Sequence, residues 1–167
     1  MRAFFAVVPD PGSCLAIEQW CGQNWPTLLR PVRARNYHLT LSFLGDITPQ
    51  QLERMEEQLQ SYSAPVIDIS LDDTGFWPNN GILWLGSRAA SPELTELAGF
   101  CTRVANRAGI KVSKKPYHAH LTLARNLTLP PPPPLVEPEF QLQCDRLLLL
   151  QSLFDKSGVR YVDIMSW

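Results

Sequence analysis

The sequence predicts an α+β protein built on antiparallel sheet, and three observations carry that prediction. Short apolar or alternating runs typical of strands are interspersed with three helical stretches, two of them with capping signals. Asn79-Asn80-Gly81 ahead of an apolar run is a hairpin turn signal. Neither a G-x-G-x-x-G nor a P-loop motif occurs, so the fingerprints of a doubly wound nucleotide fold are missing.

Taken in order, Arg2 to Val8 reads as a buried strand and Pro11 to about Asn24 as a helix. Asn36 to Leu44 is a strand. Thr48-Pro49-Gln50-Gln51 opens a second helix, with a capping hydroxyl, proline in the first turn and glutamine three residues after the cap; it runs to about Tyr62. Val66 to Leu71 alternates as a half-buried strand, and Asp72-Asp73 reads as turn chemistry at its end. Ile82 to Leu85 is the returning strand of the hairpin. Ser91-Pro92-Glu93 opens a third helix that ends near Gly109. Ala119 to Ala124 is a strand, and the prolines at 130–134 form a stiff connection that can join neither helix nor ladder. Phe140 to Leu150 and Val159 to Ile164 are two closing strands. The length of 167 residues suits a single domain, residues 1–167, of one or two closely packed lobes.

An apolar content of 45% and a charged content of 19% place the chain among globular proteins and exclude a disordered one. The apolar run at the N-terminus stops at Pro9-Asp10-Pro11, too early for a signal-peptide core. Leu147 to Leu150 is far too short to cross a bilayer. The expectation is a cytoplasmic protein with no membrane partner. Cys14, Cys21, Cys101 and Cys144 have no C-x-x-C or zinc spacing and are expected to be unpaired and buried.

A net charge of −1 does not by itself call for an anionic partner, but the charge is segregated. Residues 19–45 hold Arg30, Arg33 and Arg35 and no acid. Residues 97–136 hold Arg103, Arg107, Lys111, Lys114, Lys115 and Arg125 and no acid. Such windows favour a phosphate-bearing ligand, and each contains one copy of a repeated motif. His38-Leu39-Thr40-Leu41 recurs as His120-Leu121-Thr122-Leu123. At ordinary residue frequencies a second copy arises by chance with odds on the order of 1 in 500. The repeat points to an internal duplication.

Period-two geometry gives the motif its chemistry. His38, Thr40 and Ser42 share one strand face, as do His120 and Thr122, while the leucines enter the core. If the two strands lie side by side, two imidazoles and two hydroxyls line one groove. Opening a cyclic phosphodiester needs a base to deprotonate water and an acid to protonate the departing oxygen, and histidine serves either role near neutral pH. A metal site built from His38, His118 and His120 is a competing reading, but neither acid-free window supplies the carboxylate or fourth ligand zinc normally takes. No cofactor is expected.

These residues resemble the two-histidine (2H) phosphoesterase superfamily, and within it the bacterial RNA 2′,3′-cyclic phosphodiesterases first named 2′,5′-RNA ligases. The resemblance covers essentially the whole chain. It rests on Arg2-Ala-Phe-Phe-Ala-Val, Asn36-Tyr-His-Leu-Thr-Leu-Ser-Phe-Leu-Gly45, Pro116-Tyr-His-Ala-His-Leu-Thr-Leu-Ala-Arg125 and the closing Ser152…Gly158-Val-Arg-Tyr161. It implies a bilobal fold with two antiparallel sheets, pseudo-twofold symmetry about a central groove and helices outside, each of two intertwined lobes giving one His-x-Thr strand. It also implies metal-independent hydrolysis of an RNA-terminal 2′,3′-cyclic phosphate to a 2′-phosphate, with reversible 2′,5′ joining as a weaker activity. Carried over by position, His38 and His120 are the acid and base, with His120 activating water. Thr40, Thr122 and Arg125 hold the phosphate, and Phe43 stacks on the terminal base. The implied partner is RNA with a cyclic-phosphate end or a small cyclic nucleotide, and nothing calls for more than a monomer. Position 119 is alanine where the family has proline. Strict alternation places Phe43 and Arg125 opposite the histidines, so their roles require each strand to end or bulge just before them; Gly45 suits an early end for the first. A non-catalytic RNA-end-binding module, and a 2H enzyme acting on 2′,5′-oligoadenylate or a cyclic sugar phosphate, are alternatives that use the same residues.

Overall fold

In the computed structural model, which describes residues 1–156 and 158–167, the chain is α+β with two antiparallel sheets and three helices among the described residues. The first half runs β1 (Arg2–Val7), α1 (Pro11–Asn24), β2 (Leu39–Asp46), α2 (Pro49–Leu59), β3 (Ile67–Leu71) and β4 (Asp73–Trp77). The second runs β5 (Ile82–Gly86), α3 (Pro92–Arg107), β6 (His120–Ala124), β7 (Phe140–Cys144) and β8 (Leu148–Asp155), followed by β9 (Gly158–Ser166). The larger sheet has the order β4-β5-β6-β2-β1-β8-β9, and β3 pairs β7 in the smaller. Exchanging β1, β2 and β4 for β5, β6 and β8 reverses the first six positions and leaves their order unchanged. A pseudo-twofold axis therefore passes between β6 and β2, whose one register pair is Leu39–Leu121.

Local chemistry sets the helix starts. The Ser13 amide donates to the Asp10 carboxylate at 2.9 Å at the head of α1. Thr48 and Gln51 form the expected reciprocal capping box on α2. The Leu94 amide donates to the Ser91 hydroxyl at 3.3 Å on α3. All three helices carry proline in the first turn. The core lies on one face of the large sheet, where Phe5, Leu39, Leu85 and Leu121 are fully buried with α3 residues Leu94 and Cys101. The opposite face carries a smaller cluster of Phe4, Ala6, Leu148 and Leu150, with Tyr161 packed on it. All four cysteines are free and buried. No helix among the described residues is long and apolar enough to cross a membrane.

Three element boundaries differ from the sequence reading, each for a physical reason. The run expected as one strand from Phe140 to Leu150 is two, because β7 pairs β3 in the small sheet while β8 joins β1 in the large one. A single straight strand cannot serve both. Asp73 opens a strand, β4, rather than a turn; the corner between the sheets is Asp72, whose carboxylate accepts the Arg88 amide at 2.8 Å. The strand expected from Asn36 starts at Leu39, since Ala34–Asn36 form a 3-10 turn just before it.

The 130–134 prolines have no helix or ladder partner. The indoles of Trp20 and Trp25 donate to the carbonyls of Val136 at 2.9 Å and Pro132 at 2.7 Å, fixing this connection to α1. Gly75 of β4 lies against the indole of its cross-strand partner Trp84, where a Cβ would come within 2.0 Å of a ring carbon. Gly75→Ala is expected to lower stability by roughly 2–3 kcal/mol through forced repacking, measured as the shift in urea midpoint.

Candidate active site

The two motif strands carry the same irregularity. Beside β1, Thr40 pairs with Ala6 and Ser42 with Phe5, leaving Leu41 unpaired. Beside β5, Thr122 pairs with Trp84 and Ala124 with Leu83, leaving Leu123 unpaired. Each copy of His-Leu-Thr-Leu thus bulges at its second leucine, and one extra residue reverses the facing of everything after it. This corrects strict alternation. Ser42 is buried and does not line the cleft that holds His38, while Phe43, 47% exposed, returns to it. Arg125 is the equivalent position of the second copy and follows the end of β6. Gly45 does not end the first strand, which continues to Asp46; the bulge is what re-aims Phe43.

A cleft of about 450 Å³ results, and His38, His120, Thr40, Phe43 and Arg125 all line it, together with Arg2, Phe4 and Tyr161. Thr122 does not reach its lining and is only 8% exposed. The difference from Thr40 has a visible cause: Thr40 is flanked by Ala6, Thr122 by Trp84, whose ring packs 5.6 Å from Trp77. Among the basic windows, none of Arg30, Arg33 and Arg35 lines the cleft, and Arg33 instead stands 4.0 Å from Glu18.

Both imidazoles are held alike. The Nδ1–H of His38 donates to the Asn36 carbonyl at 2.8 Å, and that of His120 to the His118 carbonyl at 2.8 Å. A carbonyl only accepts, so each ring keeps its proton on Nδ1 and leaves Nε2 to titrate. Aromatic rings fix the planes: Tyr161 meets His38 edge-on at 4.7 Å and Phe4 lies 4.9 Å away, while Trp77 meets His120 at 4.6 Å. Burial pushes His38 down from 6.5 to about 4, against the bond to Asn36 and aided by the positive charges of Arg125 and His120. Burial lowers His120 too, with His118 and Arg125 adding to the effect.

That depression has a consequence for stability. Between pH 6.5 and about 4 the unfolded chain takes up a proton at residue 38 that the folded chain refuses. Stability is therefore full above pH 6.5 and falls as the pH drops through that window, by an upper figure of about 3 kcal/mol. His38→Asn is expected to flatten this limb in denaturant titrations at pH 4.5 and 7.

Arg2, Phe4 and Tyr161 were not singled out by sequence as site residues. Arg2 lies with its guanidinium carbon 5.0 Å from the Phe43 ring centre. The available signal was that Arg2 is the one charge in β1 and shares its period-two face with Phe4. His118, part of the competing metal reading, is exposed, and its ring packs 5.0 Å from Trp84 and 5.4 Å from Trp77. Among the described residues no three His, Cys, Asp or Glu side chains are grouped to hold a metal ion.

Comparison with known proteins decides the family. Residues 26–84, which include His38, Thr40 and Phe43, match the family model described as LigT like Phosphoesterase. The RNA 2′,3′-cyclic phosphodiesterase of Escherichia coli (strain K12) is 30% identical over 171 residues, covering 99% of this chain and 95% of the relative. The chain belongs to the LigT-like phosphoesterase family. A Bacillus subtilis relative with the same description as the E. coli one is 27% identical to this LigT-like chain, covering 98% of it and 94% of the relative. Among solved structures, apo E. coli LigT superposes with a TM-score of 0.89 at 30% identity, covering 99% of this chain and 95% of that one. E. coli LigT complexed with 3′-AMP gives 0.86, covering 99% and 96%. The LigT-like match therefore extends through the second motif copy, beyond the segment matched by the family model.

Proposed function

We propose that the chain hydrolyses an RNA-terminal 2′,3′-cyclic phosphate to a 2′-phosphate by metal-independent acid–base catalysis, with His38 and His120 as the catalytic pair. The observation that carries this reading is that both imidazoles line one cleft while both Nδ1 atoms are pinned by equivalent carbonyls. The full-length relatives described as RNA 2′,3′-cyclic phosphodiesterases support the substrate class.

In this mechanism the more exposed imidazole, His120, accepts a proton from water as its oxygen attacks phosphorus. The P–O3′ bond breaks on the opposite side, and His38 delivers its proton to O3′, leaving a 2′-phosphate and a 3′-hydroxyl. Arg125, Arg2 and the Thr40 hydroxyl face the charge that grows on the phosphoryl oxygens. Thr122 stays outside the lining and makes no contact in this mechanism, while Phe43 presents an exposed ring to the terminal base. With a 5′-hydroxyl in place of water, the same displacement of O3′ makes a 2′,5′ linkage.

The strand order supports residues 1–167 as one domain of two intertwined lobes joined by the 130–134 proline connection, since the third strand of each lobe completes the other's half of the sheet. The reading is of a monomer acting on RNA in the cytoplasm. Purified protein incubated with a cyclic-phosphate-ended oligoribonucleotide in excess EDTA is expected to yield a 2′-phosphate end at an undiminished rate. A cyclic end still intact after long incubation, or turnover abolished by the chelator, contradicts the proposal.

A further inference from the structure

Because β2 and β6 pair at Leu39–Leu121 alone, an opening remains between β2, α3 and the 112–118 segment that leads into β6. It forms a second cleft of about 750 Å³. Thr40, Phe43 and His120 line both clefts, so the two are continuous across the proposed catalytic pair.

The walls of this second cleft have a consistent chemistry. Lys114 and Lys115 are exposed on it, and among the described residues neither has a carboxylate at ion-pairing distance. Thr102 of α3 and Ser113 add hydroxyls, and no aspartate or glutamate lines it. Trp77 stands at the junction with its ring against His120. The other large clefts differ. One is lined by Asp72, Glu137 and Glu139, with Arg88 already bound to Glu137 at 2.9 Å. The one beside the prolines meets the histidine cleft only at Asn126, and the single cation in its lining, Arg30, stands among prolines and leucines. A phosphodiester chain leaving the histidine cleft past His120 and Trp77 thus finds two cations, hydroxyls and an aromatic face along its way.

We propose that the second cleft holds the RNA strand on the 5′ side of the reacting end, with Lys114 and Lys115 on its backbone phosphates. This rests on the cyclic-phosphodiesterase reading above and deepens it: the protein acts on strand ends in preference to free cyclic mononucleotides, because only a strand fills both clefts. Lysine contacts to phosphate give sequence-independent, salt-sensitive affinity.

The test compares 2′,3′-cyclic AMP with a cyclic-phosphate-ended tetranucleotide, for the wild-type chain and for Lys114→Ala/Lys115→Ala. The wild type is expected to show the higher kcat/KM on the tetranucleotide. The double variant is expected to lose roughly tenfold of that through KM, to keep its activity on cyclic AMP, and to show a salt slope shallower by about 1.4, for two single-strand phosphate contacts. Equal kcat/KM on the two substrates, or a variant unchanged on the tetranucleotide or equally impaired on both, overturns the inference and leaves the cyclic-phosphodiesterase reading standing. No turnover of either substrate by the wild type overturns that reading itself and this inference with it. Binding of a 2′-phosphate-ended tetranucleotide, followed by fluorescence anisotropy, reads the same lysines without turnover and is expected to weaken by the same factor.

Discussion

Substituting His120 by asparagine is expected to cut turnover of a cyclic-phosphate end by about 10³- to 10⁴-fold, the scale of losing one positioned proton-transfer group. The same is expected for His38→Asn. Asparagine is the informative replacement because its amide reaches the Nδ1 position and can still donate to the Asn36 or His118 carbonyl. The backbone and cleft are kept, and only the titratable Nε2 is removed. The double variant is expected to lose little more than either single one, since base and acid act in one concerted step. Binding of a 2′-phosphate-ended product should survive in all three, which separates a catalytic cleft from a binding module. Single-turnover rates and product affinity measured side by side check this. A single variant that keeps more than a tenth of wild-type turnover contradicts the assignment.

The second large effect is in pH dependence. With His38 pushed down to about 4, roughly 1 in 1000 free molecules carries the acid's proton at pH 7. Arg125 and His120 contribute to that depression by their positive charge, and an anionic phosphodiester between them offsets it. The sign is then fixed: substrate raises the pKa of both imidazoles, so both limbs of the bell for kcat lie at higher pH than those for kcat/KM. A displacement of a pH unit or more is expected in full profiles from pH 4 to 9. Arg125→Met removes one repelling charge and is expected to move both profiles to higher pH, besides weakening substrate binding. Superimposable profiles in the wild type contradict the electrostatic argument.

Where sequence reasoning succeeded and failed follows from what each signal encodes. The starts of α2 and α3 were legible because Thr48 and Ser91 hold their caps by bonds three residues away, within reach of local reading. The antiparallel α+β class was legible from alternation and the Asn79-Asn80-Gly81 turn, which closes the β4–β5 hairpin. The split of the Phe140–Leu150 run was not, because both pieces are apolar and only their different partners separate them. At the candidate site the repeated tetrapeptide pointed to His38 and His120. Period two alone placed Phe43 and Arg125 on the wrong face, since a bulge at Leu41 and Leu123 is set by the pairing of β2 with β1 and of β6 with β5 rather than by the motif itself. The seclusion of Thr122 depends on Trp84 across the strand, which no spacing within the second copy encodes.

Two imidazoles serving one phosphate is the claim on which the rest depends, and nitrogen-detected NMR of the ring resonances reads it directly. In the free protein both rings are expected as Nδ1–H tautomers titrating below 6.5, and saturating 2′-AMP is expected to raise both pKa values together. A ligand that shifts one ring and leaves the other untouched, or shifts neither, contradicts it.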